Sequence, residues 1–371
     1  MSSVLKIPEI ELVDMLEQLQ GAGLVALDGG QITLCCPSVR TIALDTVTGE
    51  RRKALHRAAA DYLERIGRDP VGAGFHHLDA GDRDRGLAAL FHGAVDTLRH
   101  GSIDAALALF DRMLREIDAA GEPVLARKYR WKIGLERGNA LIRSGDPEGA
   151  LETFTAALEQ TGDPAERCLI MGNIAMTRLR TGDTDGGLSV LKEAAQLAAR
   201  AEQTAQHAVL QAQLGNLYTR KQQLNEAANA YRTALPLLEK TENHRVSAAV
   251  WNNLGSVREM LGDIDGAFTA YTRALPLKRR LGDRLGEAVL RQNIGHILVE
   301  RGRIRAARVQ LEKASRSLRD QGEAPHLIQF LGNLSLVALY SGQFGDAAKH
   351  LAEADPRLRE LDDSDLLNWL L

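Results

Sequence analysis

A chain of 371 residues with a net charge of −3, mixed in sign, and only 4% aromatic residues projects no long-range field toward nucleic acid or an anionic membrane. Its aromatic content suits helices packed through small residues better than a sandwich or barrel core. Cys35, Cys36 and Cys168 give no CxxC pair and no disulfide framework, no run approaches eighteen apolar residues, and the opening MSSVLKIPEIELVDM lacks a basic leader with an apolar core, so a cytoplasmic protein is expected.

In chain order, Glu9–Gln20 reads as a helix, its apolar stripe formed by Ile10, Leu12, Val13, Leu16 and Leu19. Gly21 and Gly23 end it. Leu24–Leu27 and Gln31–Cys36 then read as two short strands joined by Asp28-Gly29-Gly30, a turn suited to positive φ, with Pro37 closing the second. Helices are expected next at about Ser38–Val47 and Glu50–Arg65. Pro70–Ala80 should form a short connecting helix ended by Gly81, within a linking stretch of residues 67–86. His76 and His77 sit there side by side; a metal would need further ligands at suitable spacing, and none is near in sequence, so they read as packing residues.

The segment QLQGAGLVALDGGQITL followed by RRKALHRAAADYLE resembles the winged-helix linker of the signal-transduction ATPases with numerous domains. The first winged-helix helices are missing from residues 1–66, which implies either a fragment of a longer protein or a shortened relative. A DNA-reading helix needs a basic surface. Here the helix carries Glu9, Glu11, Asp14 and Glu17, and residues 1–66 hold seven Lys/Arg against nine Asp/Glu, a net of −2. Structural linkage is the expectation.

From Leu87 onward seven segments align: 87–120, 131–164, 168–201, 208–241, 248–281, 288–321 and 328–361. The turn inside each carries Gly101, Gly145, Gly182, Gly262, Gly302 and Gly342, with Gln222 in the fourth. The second helix of each carries a small residue (Ala106, Ala150, Gly187, Ala227, Ala267, Ala307, Ala347) and, four residues on, a large one (Phe110, Phe154, Leu191, Tyr231, Tyr271, Leu311, Leu351). Small residues let helices approach and large ones fill the gap beside them. Ala157, Ala194, Ala234, Ala274, Ala314 and Ala354, three residues further, should admit the neighbouring unit.

Trp251, Leu254, Gly255, Gly262, Ala267, Tyr271 and Ala274 quote the WxxLGxxY…A…F…A pattern of the tetratricopeptide repeat nearly whole, and the array resembles that family over residues 87–361. Five consecutive units fall at a 40-residue spacing instead of about 34, which resembles the long-helix variety of kinesin light chain. The first unit departs most, with Ala94 and Thr97 where Gly and Tyr are typical. The resemblance implies an all-α, right-handed superhelical solenoid with the first helices lining a concave groove.

One position of the first helix reads Asn173, Gln213, Asn253, Asn293 and Asn333. A carboxamide both donates and accepts, so a row of them can hold an extended peptide's backbone. By resemblance to kinesin light chain the row is expected to face a peptide. Asn216, with His296 at a corresponding place, lies one turn along, and Arg180, Arg220 and Glu300 share a position near the helix end. The alternative is that the amides bond between neighbouring helices and only stiffen the superhelix.

No phosphate loop, kinase catalytic loop, HExxH or GxSxG is present, so no catalytic residues, metal or cofactor are expected, and any enzyme would lie outside this chain. Residues 362–371, DDSDLLNWLL, should cap the solenoid or open a truncated eighth unit. The expected function is a protein- or peptide-binding scaffold, the sensor or regulatory region of a bacterial signalling protein linked to a kinase or ATPase, with no nucleic acid or membrane partner. A peptide-responsive transcription regulator is the alternative.

Overall fold

The computed structural model describes residues 8–22, 24–28, 31–34, 47–319 and 324–361. The chain opens with α1 (Glu9–Gly21) and a hairpin of β1 (Val25–Asp28) and β2 (Gln31–Leu34), antiparallel with Val25 opposite Leu34 and Asp28 opposite Gln31. Cys35, Cys36, most of the helix expected over Ser38–Val47 and the terminal residues 362–371 lie outside the described residues.

The rest is helical: α2 (Gly49–Ile66), α3 (Pro70–Asp79), α4 (Arg83–Arg99), α5 (Ile103–Ala120), α6 (Pro123–Ser144), α7 (Pro147–Glu159), α8 (Pro164–Arg180), α9 (Thr184–Arg200), α10 (Thr204–Arg220), α11 (Leu224–Lys240), α12 (His244–Met260), α13 (Ile264–Arg280), α14 (Arg284–Glu300), α15 (Ile304–Arg319), α16 (Ala324–Tyr340) and α17 (Phe344–Leu361). Successive helices pack in pairs, α3 with α4, α6 with α7, α10 with α11, α12 with α13, α14 with α15 and α16 with α17; α4 thus pairs with α3 as well as with the α5 of segment 87–120. Two compact units divide within α8, Arg167–Ala175 going with the second.

In the first unit, Phe110, Met113 and Ile133 are fully buried in a core shared by α4, α5 and α6. Within α6 and α7, Gly138 lies against Phe154; a Cβ on that glycine would stand 2.3 Å from the ring. The helix read as a connector is a packed member of this unit. A Cβ on Gly74 of α3 would lie 2.7 Å from Leu90, and one on Gly93 of α4 would lie 2.6 Å from Val71. The atypical first unit thus makes its closest approach backward, onto α3, through a glycine one residue before Ala94.

The second unit is more regular. From α9 to α14 every helix has 17 residues, and a residue of positive φ recurs every twentieth position from Gly182 to Gly302. The forty-residue repeat is therefore two halves joined by the same turn. At Gly262 the turn closes as a Schellman motif: its N–H donates to Glu259 O at 2.9 Å, and the next N–H, from Asp263, donates to Arg258 O at 2.8 Å. Asp263 then starts α13 by accepting from the Gly266 N–H at 2.9 Å. Asp183 and Asp283 do the same for α9 and α14.

Inside three successive helix pairs, α10–α11, α12–α13 and α14–α15, one contact recurs. Gly215 meets the Tyr231 ring, Gly255 the Tyr271 ring and Gly295 the Leu311 side chain. The partner always lies sixteen residues after the glycine. Tyr231, Tyr271 and Leu311 are buried, as are Ala234, Ala274 and Ala314 one turn further.

The packing makes two tests possible. A Cβ at Gly255 would stand 2.5 Å from the Tyr271 ring, whereas one at Gly295 would stand 3.1 Å from the flexible Leu311. Overpacking costs about 1–3 kcal/mol, and replacing glycine in a helix returns up to about 1 kcal/mol. Gly255→Ala is therefore expected to lower the urea midpoint clearly, and Gly295→Ala to leave it within about 1 kcal/mol of the parent.

Three of the turn positions hold side chains: Glu202, Gln222 and Glu242, at φ of 55°, 59° and 52°. A left-handed L-residue costs about 1–2 kcal/mol, more than the roughly 0.4–1 kcal/mol of unfolded-state entropy that glycine adds. Gln222→Gly should therefore raise the urea midpoint, by up to about 1 kcal/mol of stability. An unchanged or lower midpoint would mean the side chain makes a compensating contact.

Candidate functional site

The first helices α10, α12 and α14 carry the amide row on one face, because the 40-residue period returns each position to the same helical phase. Gln213, Asn253 and Asn293 are half-buried, and Asn216 and His296, one turn along, are exposed. The structure brings these together laterally. Asn253 Nδ2 donates to Asn216 Oδ1 at 2.9 Å, linking α12 to α10. Asn293 Nδ2 donates weakly to Asn252 Oδ1 at 3.5 Å, linking α14 to α12, and Asn252 Nδ2 donates to Asn253 Oδ1 at 3.2 Å. Asn252, adjacent to the expected row, is the member that sequence alignment missed; it sits beside Asn253 in the same unit, where the two neighbouring units have Ala212 and Gln292.

Below the row the buried tyrosines join the network. Tyr231 donates its O–H to Asn216 Oδ1 at 2.7 Å, so that one oxygen accepts from both Tyr231 and Asn253. Tyr271 donates to Glu259 Oε2 at 2.9 Å. Burial and the facing Glu259 carboxylate push the Tyr271 phenol far above its ordinary range, and burial likewise raises Tyr231, so both stay protonated donors. Glu259 Oε1 meets His296 Nδ1 at 3.2 Å. Glu259 thus bridges a packing residue below the face and an exposed imidazole upon it.

Some polar capacity stays unused. Asn216 Nδ2 and Asn293 Oδ1 have no partner among the described residues. The Gln213 Oε1 is buried and unpaired, beside Gly172 of α8. Asn173 turns back on its own helix, donating to Leu169 O at 2.9 Å. Asn333 is half-buried in α16, while Arg180, Arg220 and Glu300 are exposed at helix ends.

A separate open cleft of about 370 Å³ lies between α9, α10 and α11, lined by Lys192, Gln196, His207, Gln211, Tyr218 and Glu226 among others. No member of the amide row lines it. Among the described residues no helix is long and apolar enough to cross a membrane.

The tetratricopeptide repeat pattern matches residues 210–246 and 246–320. No curated protein matches the sequence. Among solved structures the chain is similar to the apo form of RapI, with a TM-score of 0.63 at 14% identity over 76% of this chain and 79% of that one. It is also similar to a signal transduction ATPase with numerous domains from Pyrococcus horikoshii that has a tetratricopeptide repeat sensor, with a TM-score of 0.61 at 14% identity. That match covers 98% of this chain but 54% of the other, so this chain spans about half the length of that protein. At such identities the likeness is one of fold. Residues 210–320 belong to the tetratricopeptide repeat family, within a helical solenoid of paired helices.

Proposed function

We propose that the face formed by α10, α12 and α14 binds an extended peptide or a segment of a partner protein. The observation that carries this reading is the lateral amide network. Asn216 and Asn253 are oriented by each other, by Tyr231 and by Asn252, which also takes a weaker bond from Asn293, while Asn216 Nδ2 and Asn293 Oδ1 keep a free donor and a free acceptor on this face. Fixed amides lose little side-chain entropy on binding, which is how preorganised polar groups gain affinity. Gln213 and Asn333 extend the row to either side, with Asn173 beyond Gln213; Arg220 adds charge, and His296 a hydrogen-bonding ring, that select among side chains. The backbone is the shared element of any peptide, so amides supply affinity and the flanking residues specificity.

In this reading the chain is the sensor or regulatory part of a larger signalling protein, linked to an ATPase or kinase module. The Pyrococcus horikoshii structure, whose repeats are a sensor, supports that role. Catalysis is no part of it. The hairpin of β1 and β2, preceded by the acidic α1, serves as a structural linker of winged-helix type; Glu9, Glu11, Asp14 and Glu17 make it a poor match for phosphate.

The test is selection of peptides from a displayed random library against the whole chain, followed by affinity measurement on Asn253→Ala/Asn293→Ala. Each peptide hydrogen bond is worth about 0.5–1.5 kcal/mol, so the double variant should bind roughly tenfold or more weakly with melting temperature nearly unchanged. A large fall in melting temperature with affinity intact would make the amides struts between helices instead.

A further inference from the structure

We propose that His56, His76 and Asp79 form a site for a borderline divalent cation of the zinc class, clipping α2 to α3. The sequence separates these ligands, with His56 twenty residues before His76, and the fold joins them. His56 Nδ1 faces His76 Nδ1 at 2.9 Å and Asp79 Oδ2 at 3.6 Å. All three ligand atoms lie within 4.8 Å of one another.

The geometry suits one ion. Zinc binds imidazole nitrogen at about 2.0–2.1 Å and carboxylate oxygen at about 2.0–2.2 Å. Two ligand atoms on one such ion therefore stand about 3–3.5 Å apart, a spacing bracketed by the 2.9 Å and 3.6 Å that separate His56 Nδ1 from its two partners. Two imidazoles and one carboxylate select zinc, cobalt or nickel over magnesium and calcium, which take oxygen. His56 is one-quarter exposed and Asp79 more than half, so an ion enters from solvent and keeps water in its remaining positions. Without an ion, one Nδ1 must carry a hydrogen and donate it to the other. Binding moves that hydrogen to Nε2 of the same ring and frees both Nδ1 lone pairs, with no net proton released.

The neighbouring cluster of Asp61, Glu64 and His77 already holds its own cation, although the buried His77 Nδ1 has no partner. Arg85 Nη2 stands 2.9 Å from Asp61 Oδ1 and 2.6 Å from Glu64 Oε2, and His77 Nε2 stands 2.8 Å from Glu64 Oε1. A guanidinium there supplies the positive charge that an ion would bring. That network and the cation clip hold α2 to α3 and α4 at two points, so bound metal would set how firmly the segment before the array is fixed to its first helices.

The experiment titrates the full untagged chain with zinc against a chromophoric chelator, and with cobalt read by visible absorption. The expected result is one ion per chain, cobalt bands without a thiolate charge-transfer band, and a rise in melting temperature with zinc. His56→Ala and His76→Ala should each weaken zinc by at least roughly tenfold, the loss that even a ligand-orienting partner can cause. Asp79→Ala, at an exposed side chain, should do likewise and serves if a histidine variant fails to fold. Failure to bind micromolar zinc would reduce the pair to a hydrogen bond. Binding that survives His56→Ala/His76→Ala, or a thiolate band from the cysteines, would also overturn the assignment.

Discussion

The absence of a side chain at one position of α6, α10, α12 and α14 is the constraint on which the regular part of this structure rests. At Gly138, Gly215 and Gly255 an aromatic ring from the second helix occupies the space a Cβ would need. Only glycine admits a ring at that distance, and the ring then fills the helix interface to interior density. Gly295 and Leu311 make a looser version of the same contact. Fixing the phase of two helices in this way fixes every other residue on them. Alanines at 234, 274 and 314 come to the buried side, and the amides at 213, 253 and 293 stay half-buried on the face of the first helices.

Much of this was legible in the sequence because steric demands leave few acceptable residues. The small, large and small spacing of the second helices foretold which side chains are buried, except Leu351 of α17, which is exposed, and the turn glycines foretold where helices reverse. The twenty-residue symmetry was hidden for the same reason. Three of its seven turns, at Glu202, Glu242 and Gly282, lie between units, and the left-handed conformation that the Schellman bonds force on the two glutamates leaves no compositional mark. The role of α3 was hidden as well: Gly74 meets Leu90 sixteen residues on, at the offset of the later glycine contacts, but the pair lies across the start of the first aligned segment.

The sites show a different limit. A row at constant spacing announces itself, so Asn253 and Asn293 could be singled out, but which hydrogen bonds they make depends on lateral distance between helices. Asn252 entered the network only once α12 and α14 were side by side. The pair of His76 and His77 splits in the same way. Successive residues on a helix point about 100° apart, so His77 turns inward to Glu64 while His76 turns toward His56. No local spacing rule connects residues 56 and 76; the packing of α2 on α3 does.

The central claim is that the amide face, and not the open cleft between α9, α10 and α11, receives the ligand. Side-chain NH₂ resonances of the asparagines and glutamines, followed by NMR while a selected peptide is titrated in, distinguish the two directly. The account predicts shifts at Asn216, Asn253 and Asn293, with Gln196 and Gln211 of the cleft unmoved. Shifts confined to Gln196 and Gln211 would contradict it.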